Sequence, residues 1–82
     1  PQETMLFNDT IEYNIRYGNL KETGDLEQVL EQSHLTETIK KLKQGLQSHV
    51  GERGLKLSTG EKQRIAIARI LLKKPKILLC DE

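Results

Sequence analysis

Eighty-two residues, 35% hydrophobic and 30% charged, suffice for one small domain that buries about 60% of its unfolded surface. The net charge of +1 provides no strong field for nucleic acid or acidic lipid, so we expect no nucleic-acid partner. One cysteine, Cys80, excludes an internal disulfide and fits a reducing compartment. Because Cys80 lies in an apolar run, we interpret it as a small buried side chain rather than a reactive thiol. No apolar stretch approaches the roughly 20 residues that cross a bilayer.

Two short helices are predicted early in the chain. Asn8-Asp9-Thr10 offers alternative N-caps for a helix that begins at Ile11 and carries Ile15 on the same face. After a polar connection, Asp25 caps a second helix that continues to about Ser33. Its apolar stripe consists of Leu26, Val29 and Leu30.

The middle of the chain predicts one further helix and then an irregular stretch. Thr36 opens this helix, which ends near Leu42 and directs Ile39 inward. Residues 45–57 are expected to be irregular because glycines punctuate them. The two histidines have no Cys, His or carboxylate at metal-binding spacing, so we interpret them as surface or loop residues.

The clearest helix start is Ser58-Thr59-Gly60-Glu61. It forms a capping box, in which the Ser58 hydroxyl accepts from the Glu61 amide and the Glu61 carboxylate reaches back. From Ile65 to Leu72 only Arg69 interrupts the apolar residues. We therefore expect this helix to be mostly buried rather than amphipathic.

An apolar run near the end of the sequence is followed by two carboxylates, Asp81 and Glu82. Such a run is typical of a strand buried in a parallel sheet, and open α/β sheets bind ligands at the carboxyl ends of their strands. A helix and the strand after it cross the layer in opposite directions, which predicts Ser58 and both carboxylates on the same side. A helix N-terminus suits a phosphate, and carboxylates suit Mg²⁺ and an attacking water. We therefore expect a fragment of a larger nucleotide-hydrolysing domain.

Several segments resemble those of ATP-binding-cassette (ABC) proteins, in the same order. Residues 57–69 resemble the signature sequence, and residues 77–82 resemble the Walker B strand that comes after it. Pro1-Gln2 is similar to the start of the glutamine loop, and residues 6–18 resemble the segment after that loop in exporters. Val50-Gly51-Glu52-Arg53-Gly54 resembles the exporter-specific loop before the signature. The resemblance covers essentially the whole chain.

The resemblance implies an α/β fold class, namely part of a P-loop NTPase of the ABC cassette type. It consists of a mostly α-helical subdomain, the signature helix and one core parallel strand. The implied boundaries are a glutamine loop at 1–9, a helical subdomain at 10–57, the signature and its helix at 58–74, and the Walker B strand at 76–82.

The resemblance also implies ATP and Mg²⁺ as ligands, with a role for each matched residue. Glu82 would polarise the attacking water as general base, and Asp81 would hold Mg²⁺. Gln2 would sense Mg²⁺ and the γ-phosphate, and is therefore counted with both the catalytic and the metal residues.

Two further groups of residues face partners in this scheme. The nucleotide-binding group contacts ATP held mainly by a second cassette, in a homodimer or a heterodimer, and consists of Ser58, Thr59, Gly60 and Glu61. The coupling group would face the transmembrane domain of the same transporter and consists of Phe7, Glu52 and Arg53.

Two positions depart from the common family pattern. Thr59 stands where the family usually has Gly, and we expect it to slow hydrolysis or loosen ATP-driven closure without abolishing either. Glu61 replaces a frequent Gln, but Glu-Lys-Gln-Arg resembles the signature of mitochondrial and heavy-metal half-transporters. The resemblance to this group implies a membrane-associated parent, for example in the mitochondrial membrane, with its cassette in the cytosol or mitochondrial matrix.

Other interpretations remain open at this point. Thr59 motivates a degenerate cassette that binds ATP and regulates a partner with little hydrolysis. A soluble ABC protein fits the exporter-like loop less well, and a basic helix for nucleic acid or calmodulin fits the broadly apolar signature helix poorly. The phosphate-cradling loop Gly-x-x-x-x-Gly-Lys-Ser/Thr does not occur in these residues, so we expect the isolated fragment to be inactive.

Overall fold

The described part of the chain is helical. A computed structural model describes residues 5–17 and 25–73. Its elements are α1 (Ile11–Arg16), α2 (Leu26–Gln32), α3 (Thr36–Lys41), a 3₁₀ turn (Gly45–Gln47) and α4 (Thr59–Lys73). None of the helices within these two ranges is long and apolar enough to cross a membrane. The predicted strand at 76–82 lies outside the described residues.

Side-chain caps start the first two helices, as their sequences predict. The Thr10 hydroxyl accepts from the Tyr13 amide at 3.0 Å, so Thr10 is the cap among the three candidates. The Asp25 carboxylate accepts from the Gln28 amide at 3.1 Å at the start of α2. Each cap satisfies an amide that has no partner inside its helix.

The third helix begins one residue earlier than a Thr36 cap would allow. Leu35 occupies the N-cap position without a side-chain hydrogen bond, and Thr36 is already helical. His34 adopts a left-handed φ of 62°. The chain thereby reverses, and Leu35 becomes buried while its amide donates to Leu30 O at 2.8 Å. Burial of Leu35, rather than a polar cap, therefore sets this helix start.

One apolar core holds the described elements together. It lies where α4 packs against α1 and α2, with Leu35 and Val50 closing its side. Its buried members are Ile11, Ile15, Val29, Leu30, Leu35, Val50, Ile65, Ala68 and Leu72. Ile39 is partly buried against this core, in agreement with its predicted inward orientation, and so is Leu42.

Within the described residues α4 is buried on one face only, whereas the sequence predicted a mostly buried helix. Ile65, Ala68 and Leu72 are at most 1% exposed and recur at the spacing of one helix face. Ile67 and Ile70 are 47% and 48% exposed. They lie on the other side of α4, away from α1 and α2, because a helix turns about 100° per residue.

The stretch from the 3₁₀ turn to α4 is irregular but tied to the start of α1. Ile11 N donates to Ser48 O at 3.0 Å, and Val50 N donates to Asp9 O at 2.9 Å. Isolated bridges join Thr10 to His49 and Val50 to Leu55. The irregularity predicted from the glycines is confirmed, and it contains the 3₁₀ turn as its one regular piece among the described residues.

Gly51 is required by the backbone of this stretch. Its φ is +99°, and a Cβ there would approach Phe7 O and Asn8 Cα to 3.0 Å. Gly51→Ala is therefore expected to destabilise the full-length protein by about 1–3 kcal/mol. The measurement is the thermal unfolding midpoint without nucleotide, with Gly60→Ala as the matched control, since a Cβ at Gly60 meets only ordinary contacts. Equal midpoints for the two variants would contradict the conclusion that the backbone requires glycine at position 51.

Candidate functional site

The start of α4 forms the predicted capping box. Ser58 N donates to Glu61 Oε1 at 2.8 Å, and Glu61 N donates to Ser58 Oγ at 3.1 Å. Ser58 and Thr59 are exposed, whereas Gly60 and Glu61 are half-buried. The reciprocal bonds hold the Ser58 hydroxyl at the positive end of a 15-residue helix, a position that favours an anion.

Neither of the next two positions requires glycine for the fold. Thr59 is the first residue of α4, and His34 is the only non-glycine residue with positive φ in the described ranges. The backbone at Thr59 therefore does not require glycine. At Gly60 a Cβ would have Arg64 and Ser58 Oγ as its nearest neighbours, at 3.8 to 3.9 Å. The fold would accept a side chain at position 60, so the open space beside Gly60 is not needed for folding.

Phe7 belongs to a cluster of aromatic side chains. Its ring centroid lies 4.3 Å from that of Tyr17 and 6.1 Å from that of Tyr13. Phe7 and Tyr17 remain 39% and 43% exposed, and Met5 beside them in the chain is 64% exposed. Phe7 is therefore part of a larger exposed apolar surface. The sequence predicted Phe7 at a surface but did not predict that the two tyrosines belong to it. Tyr13 lies on α1 and Tyr17 is its C-cap, and their spacing of four residues is the sequence signal for a shared side of the helix.

Asn14 holds the backbone of Phe7 from both sides. Phe7 N donates to Asn14 Oδ1 at 2.8 Å, and Asn14 Nδ2 donates to Phe7 O at 3.2 Å and to Thr10 O at 2.9 Å. Asn14 is completely buried. This role was not predicted, although an asparagine three residues after Ile11 on the same helix face is a detectable signal.

Glu52 and Arg53 lie on an exposed turn next to the segment that carries Phe7. Arg53 N donates to Asn8 Oδ1 at 3.3 Å, and Gly51 lies against Phe7 O and Asn8. Both side chains are exposed. The structure therefore brings the three predicted coupling residues into two adjoining surface segments.

Arg69 reaches from α4 to these segments. Its Nε donates to Asn14 O at 2.8 Å, and its Nη2 donates to Met5 O at 3.4 Å. Partial burial lowers the pKa of the guanidinium, and nearby Tyr17 acts in the opposite direction. An arginine remains charged under such a shift, so both bonds are charge-assisted. In the sequence, Arg69 was predicted only as an interruption of the apolar run.

Three predicted site residues, Gln2, Asp81 and Glu82, lie outside the described residues. Their closeness to Ser58 thus stays a prediction. Across residues 5–17 and 25–73, no group of at least three His, Cys, Asp or Glu side chains is arranged to hold a metal ion.

Comparisons with known proteins give a consistent result. The ABC transporter family matches residues 1–82. The iron-sulfur clusters transporter ATM1, mitochondrial, of Gibberella zeae is 51% identical over the whole chain, which covers 12% of that protein. ATP-binding cassette sub-family B member 6 of Xenopus tropicalis is 53% identical over the whole chain, which covers 10% of it.

A solved structure agrees with these relatives. It is that of a bacterial Atm1-family ABC exporter with ATP bound, and it matches with a TM-score of 0.76 and 50% identity. The match covers 89% of this chain and 13% of the exporter chain. The chain thus spans about a tenth of the length of the curated relatives named here.

Fold and site together define a fragment of a nucleotide-binding cassette with the P-loop NTPase fold. The chain belongs to the ABC transporter family. Its relatives include a transporter named ATM1, mitochondrial, a sub-family B member 6 and an Atm1-family exporter, which confirms the predicted subgroup.

Proposed function

We propose that this chain is part of the ATP-binding and ATP-hydrolysing domain that powers an ABC exporter. The observation that carries the proposal is the capping box at the start of α4, which presents Ser58 Oγ beside a glycine that the fold does not need. A hydroxyl, the first-turn amides of Thr59 and Gly60 and a positive helix end suit the γ-phosphate of ATP.

In the proposed arrangement two cassettes share each ATP molecule. Ser58 and the Gly60 amide contact the γ-phosphate of a nucleotide bound mainly by the partner cassette. Glu61 holds Ser58 in place through the capping box, and Thr59 lies exposed beside it. Because Thr59 adopts a helical backbone like its neighbours, it need not disturb either contact, which favours a hydrolysing cassette over a degenerate one.

The acidic residues supply the hydrolytic chemistry in this proposal. Glu82 accepts a proton from the attacking water, as a general base does. Asp81 and Gln2 would hold Mg²⁺, whose charge neutralises the phosphates when it is bound. Carboxylate and amide oxygens are suitable donors for this ion.

The coupling group transmits the ATP cycle to the transmembrane domain of the same transporter. Phe7 with its two tyrosines provides an apolar surface, and the Glu52-Arg53 turn beside it provides charges of both signs. An exposed apolar cluster rimmed by charged residues suits a docked helix.

We propose a mitochondrial membrane as the location of the parent protein, with its cassette in the cytosol or the mitochondrial matrix. The support is the similarity to relatives named as mitochondrial iron-sulfur cluster transporters. In such a transporter the membrane domain, rather than the cassette, selects the cargo.

Gly60→Ala in the full-length protein tests the nucleotide site. The fold accepts a Cβ here, so stability is expected to be unchanged or higher by up to about 1 kcal/mol, since alanine favours helix. A methyl group in the space for phosphate is expected to lower ATP turnover by about 10-fold or more. Stability is measured by thermal unfolding without nucleotide, and turnover by phosphate release. Full turnover at unchanged stability would contradict the proposed contact.

A further inference from the structure

Arg69 links two parts of the cassette that are distant in sequence. Its guanidinium donates to Asn14 O on α1 and to Met5 O in the segment before α1, at 2.8 and 3.4 Å. Asn14 continues the connection, because its buried side chain holds both the amide and the carbonyl of Phe7. Hydrogen bonds therefore lead from the signature helix to the predicted coupling surface.

The connection extends to the second coupling segment. Asn8 Oδ1 accepts from Arg53 N, and Asp9 O accepts from Val50 N. Gly51 leaves no room for a Cβ between the two segments. Residues 5–9 and 50–53 thus form one connected surface unit, and Arg69 is its hydrogen-bonded link to α4.

The geometry favours transmission of movement. Ser58 immediately precedes α4 and Arg69 lies in its third turn, so one continuous helix joins the two positions. Arg69 forms charge-assisted bonds to Asn14 O on α1 and to Met5 O before α1, and each bond weakens if α4 shifts without its acceptor. A displacement of α4 is therefore opposed by both bonds unless α1 and the segment before it follow.

We propose that Arg69 is a positioning residue that makes residues 5–9 follow the signature helix when ATP binds. The inference rests on the proposed function, because it assigns Arg69 a role in that ATP cycle. It also predicts that a variant without this link binds nucleotide at α4 yet transmits less of the response.

Hydrogen–deuterium exchange on the full-length protein tests this, with Mg²⁺ and the non-hydrolysable ATP analogue AMP-PNP as the probe. In the wild type, AMP-PNP is expected to slow exchange in both 59–69 and 5–9. In Arg69→Gln the slowing at 59–69 should persist, while that at 5–9 falls by about 2- to 30-fold, the range typical of residues that carry coupling. Lys41→Gln removes an exposed charge on α3 and is the matched control, with a wild-type response.

If Arg69 only stabilises the fold, Arg69→Gln should exchange faster in both 59–69 and 5–9 without nucleotide. AMP-PNP would still slow exchange at 5–9 as in the wild type, and that result would overturn the proposal. If Arg69→Gln fails to fold, Arg69→Lys is used instead. Lysine lacks the planar guanidinium that reaches both carbonyls, so AMP-PNP should slow exchange at 5–9 less than in the wild type. A wild-type response in Arg69→Lys would overturn the proposal. Absence of ATP turnover and of AMP-PNP protection in the wild type would instead contradict the proposed function.

Discussion

Glu82→Gln in the full-length protein is expected to lower ATP turnover by on the order of 10²-fold or more, because general-base catalysis contributes that much. The amide has nearly the shape of the carboxylate but cannot accept the proton of the attacking water. Nucleotide binding should persist, so the variant should retain ATP in a trapped complex. Phosphate release measures turnover, and radiolabelled ATP that remains bound after rapid gel filtration measures trapping.

Glu37→Gln provides the matched control for this change. Glu37 is exposed on α3, and its only ion pair in the described ranges is a 3.9 Å contact with exposed Lys40. The same carboxylate-to-amide exchange is therefore expected to leave turnover unchanged there. If Glu82→Gln hydrolyses ATP at the wild-type rate, Glu82 is not the base.

Asn14→Ala is expected to destabilise the full-length protein by about 1–3 kcal/mol, because it removes the partner of the Phe7 amide from a buried position. Asn14 is completely buried, and its amide serves Phe7 N, Phe7 O and Thr10 O. Alanine would leave Phe7 N unpaired and a small cavity in place of the amide, while Phe7 O keeps its bond from Asp9 N and Thr10 O keeps its bond from Asn14 N. The measurement is the thermal unfolding midpoint, without nucleotide.

Asn8→Ala is the matched control for the buried asparagine. Asn8 is exposed, and its side chain accepts one backbone hydrogen bond, from Arg53 N at 3.3 Å. Water can replace such a bond, so the expected loss is below about 1 kcal/mol. If the two variants lose the same free energy of unfolding, the burial of Asn14 does not make its hydrogen bonds more stabilising than those of an exposed asparagine.

Local signals in the sequence predicted the helix starts well where side chains cap them. The caps at Thr10, Asp25 and Ser58 all form. Each involves atoms only three residues apart, so the residue types themselves bring donor and acceptor together. Where no polar cap forms, as at Leu35, the long-range core sets the boundary and local pattern misplaces it by one residue.

The candidate site divides in the same way. The capping box at Ser58-Thr59-Gly60-Glu61 was predictable, because it is one continuous segment with its own hydrogen bonds. The link from α4 to the predicted coupling surface was not. Arg69 meets its acceptors across separations of 55 and 64 residues, and composition says nothing about which carbonyls a distant guanidinium reaches.

By itself, the sequence determined the family, the signature start and the helical character of the middle of the chain, because motifs and caps are properties of neighbouring residues. Only the tertiary structure decided which face of α4 is buried and leaves Ile67 and Ile70 exposed. It also decided that Asn14 and Arg69 join the signature helix to residues 5–9. Both results depend on how α1 packs against α4, and that packing is set by the shared core rather than by any local pattern.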